Sequence, residues 1–92
     1  MSEKRVHVII HGRVQGVAFR ASCQRQAVAL GVTGWVRNRW DRTVEARFEG
    51  PAVAVDVMVR WCHHGPPMAE VTKVEVMSPP DAPIERGFRV RG

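Results

Sequence analysis

Between a run of alternating apolar residues and a run of helical spacing stands Gly12-Arg13-Val14-Gln15-Gly16-Val17-Ala18-Phe19-Arg20. A strand-to-helix junction of this kind gathers unpaired backbone N–H groups at the positive end of the helix dipole, which favours an anion. Arg20, in the first helical turn, offers a planar fork of donors suited to phosphate oxygens, and several N–H groups of the preceding loop can converge on the same group. Spacing alone leaves two readings open: a phosphate cradle, or an arginine that solvates a helix start, the commoner occurrence beside a Gly-containing loop. Gln15 and Phe19 are equally double, because Gln15 can simply fix the loop and Phe19 can simply pack in the core. The stretch lacks the Gly-Lys-Ser/Thr ending of a Walker loop, and glycines at 12 and 16 miss the dinucleotide spacing. A cysteine-dependent phosphatase places Arg six positions after its Cys; Cys23 and Cys62 are followed there by Ala29 and Met68, which excludes that mechanism.

Metal chemistry finds little support. His7 and His11 share a strand face, but four residues of strand separate them by roughly 13 Å, too far for one ion. Cys62-His63-His64 offers three ligand types in a row, yet neighbours on a helix point in different directions and no fourth ligand is spaced nearby. No metal and no cofactor are expected. Trp35, Trp40 and Trp61 read as packing residues rather than as a platform for stacked bases.

The elements that must position the loop follow from periodicity. Arg5 to His11 alternates, with Val6, Val8 and Ile10 on one face, and reads as a strand. Phe19, Cys23, Ala27 and Leu30 form one stripe of an amphipathic helix that Gly31 stops in a left-handed conformation. Thr33 to Trp40 and Thr43 to Glu49 read as a hairpin around Asp41-Arg42, a turn without the usual glycine. Pro51 to Cys62 fits period two through Val53, Val55, Val57, Val59 and Trp61, and a helical stripe through Val53, Val57 and Trp61. Its length and the Gly50-Pro51 start favour a helix with Pro in the first turn. Breaks at Gly65-Pro66-Pro67 and at residues 78–83 flank a strand over Val71 to Val76, and Phe88 and Val90 mark a short terminal strand. The order is β-α-β-β-α-β plus a last strand, an α+β sandwich with two helices on one face of an antiparallel sheet.

With 92 residues, 45% of them apolar and 25% charged, the chain has the composition of one globular domain over residues 1–92. The early apolar run, Val8-Ile9-Ile10, is far short of the ~20 residues of a membrane span. A soluble, cytoplasmic protein with two free thiols is expected. The net charge of +5 draws anions of any kind, but twelve of the fourteen basic residues are Arg and they are scattered, which argues against a basic tail or a lipid-binding segment.

The stretch from Gly12 to Arg20, followed by Leu30-Gly31-Val32-Thr33-Gly34-Trp35-Val36-Arg37-Asn38, closely resembles the two signatures of the acylphosphatase family. Val44-Glu45, Glu49-Gly50, Gly65-Pro66-Pro67 and Val74-Glu75-Val76 extend the likeness over almost the whole chain. The resemblance implies a ferredoxin-like βαββαβ sandwich and settles Pro51 to Cys62 as helix. It implies that Arg20 binds phosphate, that Asn38 positions water, and that the backbone from Gln15 to Arg20 is the phosphate loop. The implied reaction is metal-independent hydrolysis of an acyl phosphate to carboxylate and inorganic phosphate, the latter also an inhibitor, by a cytoplasmic monomer with no nucleic-acid or membrane partner. Two departures stand out: Arg42 occupies a place where the family often has Gly, and Ala18 is small where the family often carries a bulkier residue.

Two rival readings share the element order. An RNA-recognition module would need an aromatic strand signature that is missing, and would meet Glu45 and Glu49 around Arg47 on the third strand. A non-catalytic accessory acylphosphatase-like domain, as found in hydrogenase-maturation carbamoyltransferases, is disfavoured by the presence of both Arg20 and Asn38.

Overall fold

The computed structural model describes residues 2–79 and 85–92. Its elements are β1 (Glu3–Arg13), α1 (Phe19–Leu30), β2 (Thr33–Asn38), β3 (Val44–Pro51), α2 (Ala52–Cys62), β4 (Glu70–Met77) and β5 (Phe88–Arg91). The strands form one sheet in the order β4-β1-β3-β2-β5. Every expected element is present, while residues 80–83 of the second expected break lie outside the described residues. The sheet is antiparallel except at one edge. β5 runs parallel to β2, with Val36 opposite Val90 and Arg37 opposite Arg91, because the chain passes from one edge of the sheet to the other between β4 and β5.

Both helices pack on the face that carries Val6, Val8, Ile10, Val36, Val44, Ala46 and Phe48. α1 contributes Phe19, Cys23 and Ala27 to this core, as its stripe requires, and Leu30 packs at the margin. Gly31, at φ 72°, takes the left-handed cap, where a side chain would be strained. α2 buries Val55, Met58 and Cys62, not the stripe of Val53, Val57 and Trp61 read from the sequence, and Val53 is largely exposed. A segment rich in Val on every side offers several apolar stripes, and packing against the sheet chooses among them. Pro51 ends β3 with ψ 135° and serves as the residue before the helix, so it lies outside the first helical turn. The thiols of Cys23 and Cys62 are both buried and unpaired, and burial pushes each well above its ordinary pKa.

The opposite sheet face is polar yet largely covered by its own side chains. Glu45 accepts from Arg37 Nε at 2.5 Å and sits 2.7 Å from His7 Nε2, and the buried Arg47 and Glu49 pair at 2.7 Å. Trp35 is buried beneath the guanidinium groups of Arg37 and Arg91, whose carbons lie 5.6 and 4.9 Å from its ring centre.

The hairpin differs from the two-residue turn expected. β2 stops at Asn38, and Arg39 donates its N–H to Thr43 O at 2.9 Å around a longer turn. Within it Asp41 accepts from the Thr43 hydroxyl and amide, at 2.6 and 3.1 Å, which hold its carboxyl below the usual range. Arg42 supplies the left-handed residue, at φ 72°, that a glycine would supply without steric cost. Trp40 stands at the tip of this turn, 90% exposed, and so is no packing residue; Trp35 is buried and Trp61 packs on Phe19 at 5.2 Å between ring centres. Two residues past the strand end, Trp40 has no sheet to pack on.

Candidate functional site

β1 ends in a bulge between His11 and Gly12, and the chain turns there into the loop that leads to α1. Gly12 has φ 122°, and a Cβ on it would lie 2.1 Å from the carbonyl oxygen of Glu70, so only glycine lets the loop leave the sheet at this place. Beyond it, Gly16 and Ala18 adopt positive φ, 74° and 63°, left-handed positions of the kind from which anion-binding concavities of backbone amides are built. Ala18 occupies the cap position of α1 and gives no side-chain hydrogen bond, and the first turn holds no acidic residue. Among the described residues no backbone carbonyl accepts from the amides of Gly16 to Arg20. A helix start normally satisfies such donors with Ser, Thr, Asp or Asn, worth about 1 kcal/mol. Here they are left unsatisfied in a row.

These groups line a cleft of about 260 Å³ whose wall includes Gly16, Ala18, Phe19, Arg20, Gln24 and Asn38. Residues nearly twenty positions apart in the chain thus meet at one cavity. Asn38 is the last residue of β2, opposite Val44, on the helix-bearing face it shares with Val36. Arg20 is steadied by a hydrogen bond from Nη1 to the carbonyl oxygen of Arg91, 3.0 Å away on β5, which leaves its other donors available. Phe19 contributes backbone to the cleft while its ring is buried against Trp61, and Gly65 is needed there, because a Cβ would come within 2.7 Å of that ring.

Gln15 and Val17 are not part of the cleft wall. Val17 leans on the core, and the side chain of Gln15 turns the other way: Nε2 donates to the carbonyl oxygens of Arg39 and Thr43, at 2.8 and 2.9 Å. Gln15 therefore fastens the loop to the turn that follows Asn38, and only its backbone amide remains for an anion. The loop-fixing reading of Gln15 holds, but neither its partners nor the Arg20–Arg91 contact could be read from the sequence, because the acceptors are backbone carbonyls, which every residue possesses. Gln24 was missed for the same reason; its amide donates to Phe88 O at 3.0 Å and ties α1 to β5.

A larger cavity, about 600 Å³, lies on the polar sheet face. The charged groups that line it are already paired, Glu45 with His7 and Arg37, Arg39 with Asp41, and Glu75 with the neighbouring His11 and Lys73. The two histidines thus serve different carboxylates. Among the described residues, no three His, Cys, Asp or Glu side chains are grouped to hold a metal ion, and no helix is long and apolar enough to cross a membrane.

Comparison with known proteins identifies the family. The acylphosphatase family model matches residues 6–90. An acylphosphatase of Rubrobacter xylanophilus is 59% identical over 88 residues, which cover 96% of this chain and 80% of that one. An acylphosphatase of Thermococcus kodakarensis is 51% identical over 92 residues, the full length of both. The solved structure of an acylphosphatase from Coxiella burnetii superposes with a TM-score of 0.90 at 36% identity, covering 97% of this chain and 93% of that one. Sequence, fold and relatives agree, and the chain belongs to the acylphosphatase family of hydrolases, which act on acyl phosphates.

Proposed function

We propose that the phosphoryl group of an acyl phosphate sits in the cleft, held by Arg20 and by the loop amides up to Arg20, with Asn38 holding the attacking water. The observation that carries this reading is the uncapped start of α1, whose free N–H groups share one cleft with Arg20 and Asn38. Water oxygen bonds to phosphorus as the phosphorus–oxygen bond to the carboxyl group breaks, and the carboxylate leaves with the electron pair. A water proton passes to a phosphoryl oxygen, so the products are carboxylate and inorganic phosphate. A carboxylate leaves without protonation, which accounts for a site built from cationic and amide donors with no acid beside the leaving group. Metal-independent turnover follows, with inorganic phosphate as competitive inhibitor, and ordinary phosphate monoesters react slowly because an alkoxide needs an acid.

The same reading makes the working unit one copy of a one-domain chain, since Arg20 and Asn38 come from the same molecule. Two unpaired buried thiols suit the cytoplasm. No nucleic acid or membrane has a part in the reaction.

The test is phosphate release from acetyl phosphate. Arg20→Lys keeps the charge but loses the fork that spans two oxygens, and is expected to lower kcat/KM by roughly 100-fold or more, about 3 kcal/mol. Arg13→Lys and Arg25→Lys, outside the cleft, are expected within a few fold of the parent. Equal activity in all three would overturn the cradle.

A further inference from the structure

The register of β5 on β2 gives the cleft a direction. Val90 stands opposite Val36 and Arg91 opposite Arg37, so Asn38 lies one step past the end of β5. Arg20 reaches the carbonyl of Arg91, and Gln24, one turn further along α1, reaches that of Phe88. At ~3.3 Å per residue, Phe88 is roughly 13 Å back along the strand from the level of Asn38. The cleft is therefore a groove between α1 and β5, with Asn38 at one end, Arg20 next, then Ala21 and Val90, and Gln24 at the far end. In-line displacement puts the attacking water and the leaving oxygen on opposite sides of phosphorus. With water at Asn38, the leaving group must face Ala21, Val90 and Gln24.

We infer that this far end of the groove receives the acyl portion of the substrate, and that Ala21 and Val90 determine which acyl groups are accepted. The inference rests on the placement of phosphate and water described under Proposed function. The wall at this end is apolar and small, a methyl group from Ala21 and the partly exposed side chain of Val90, and Gln24 has its amide nitrogen engaged with Phe88. The whole cleft, at about 260 Å³, is smaller than the ~300–1,000 Å³ pockets that enclose drug-sized ligands. Short uncharged acyl groups fit inside it, and a bulky one must press on Ala21. The larger cavity beside Trp40 shares only Asn38 with this cleft, at the end opposite Ala21, Val90 and Gln24.

The experiment compares acetyl phosphate with benzoyl phosphate. Ala21→Leu fills the groove on an exposed helix position that tolerates Leu; it is expected to lower kcat/KM for benzoyl phosphate at least ~10-fold, that for acetyl phosphate less than ~3-fold, and to leave inhibition by inorganic phosphate unchanged. Val90→Ala is expected to shift the preference towards benzoyl phosphate, and Trp40→Ala to leave the ratio alone. A ratio unchanged by Ala21→Leu and Val90→Ala, or changed by Trp40→Ala instead, would overturn the inference while the phosphate site stands. A parent protein that neither hydrolyses acetyl phosphate nor binds phosphate would overturn the underlying reading of the cleft.

Discussion

At the scale of single residues, the proposed reaction separates binding from alignment. In it Asn38 acts through a water molecule, so Asn38→Ala is expected to lower kcat while KM stays within about twofold; steady-state kinetics on acetyl phosphate check this. Gln15 works at one remove, by holding the turn after Asn38 through two carbonyl oxygens. Gln15→Ala is expected to cut kcat about tenfold and to leave the inhibition constant of inorganic phosphate nearly unchanged, since the backbone amides remain. Arg42 presents the opposite case, a residue with a conformational cost and no partner in the cleft. A non-glycine residue in the left-handed region costs about 1–2 kcal/mol, partly offset by the greater unfolded-state freedom of glycine. Arg42→Gly is therefore expected to raise stability by up to about 1 kcal/mol, seen as a Tm increase of several degrees with unchanged kcat/KM.

At the scale of elements, the loop depends on how β1 ends. Gly12→Ala forces a Cβ into the Glu70 carbonyl and is expected to cost about 2 kcal/mol or more and to weaken phosphate binding as the loop shifts, measured by denaturant unfolding and by inhibition. The sequence made most elements legible, because the apolar residues of β1, β3 and α1 fall on the face that meets the core; that the polar residues of β3 are buried as well was not legible. It misjudged α2, where valines on several sides make local pattern indifferent to which face is buried, and it placed Trp40 in a strand that stops at Asn38. The direction of β5 was not legible, because four residues carry no record of their partner across the sheet. Of the cleft, the residue types of Arg20 and Asn38 were legible through a family likeness. The partners of Gln15, the tie made by Gln24 and the carbonyl of Arg91 became visible only once backbone acceptors had positions.

At the scale of the molecule, charge and ligand set stability. Burial disfavours the ionised form of Glu45, but hydrogen bonds from Arg37 and His7 outweigh it and hold the carboxyl below its ordinary 4.5. A depressed folded-state value stabilises the fold above the unfolded value, and that gain is lost as pH falls through the folded one. Urea midpoints are expected to decline below about pH 4.5, and less steeply in Glu45→Gln. Inorganic phosphate at a hundred times its dissociation constant is expected to add about 2.7 kcal/mol, with chloride at equal ionic strength as the control. The contact between Arg20 and Arg91 closes a separation of 71 residues. Contacts so distant in sequence form late in folding, after the loop-closure entropy has been met. Arg20 therefore gains its anchor only when β5 has docked beside β2. On refolding from urea, helical signal is thus expected to return before hydrolysis of acetyl phosphate does.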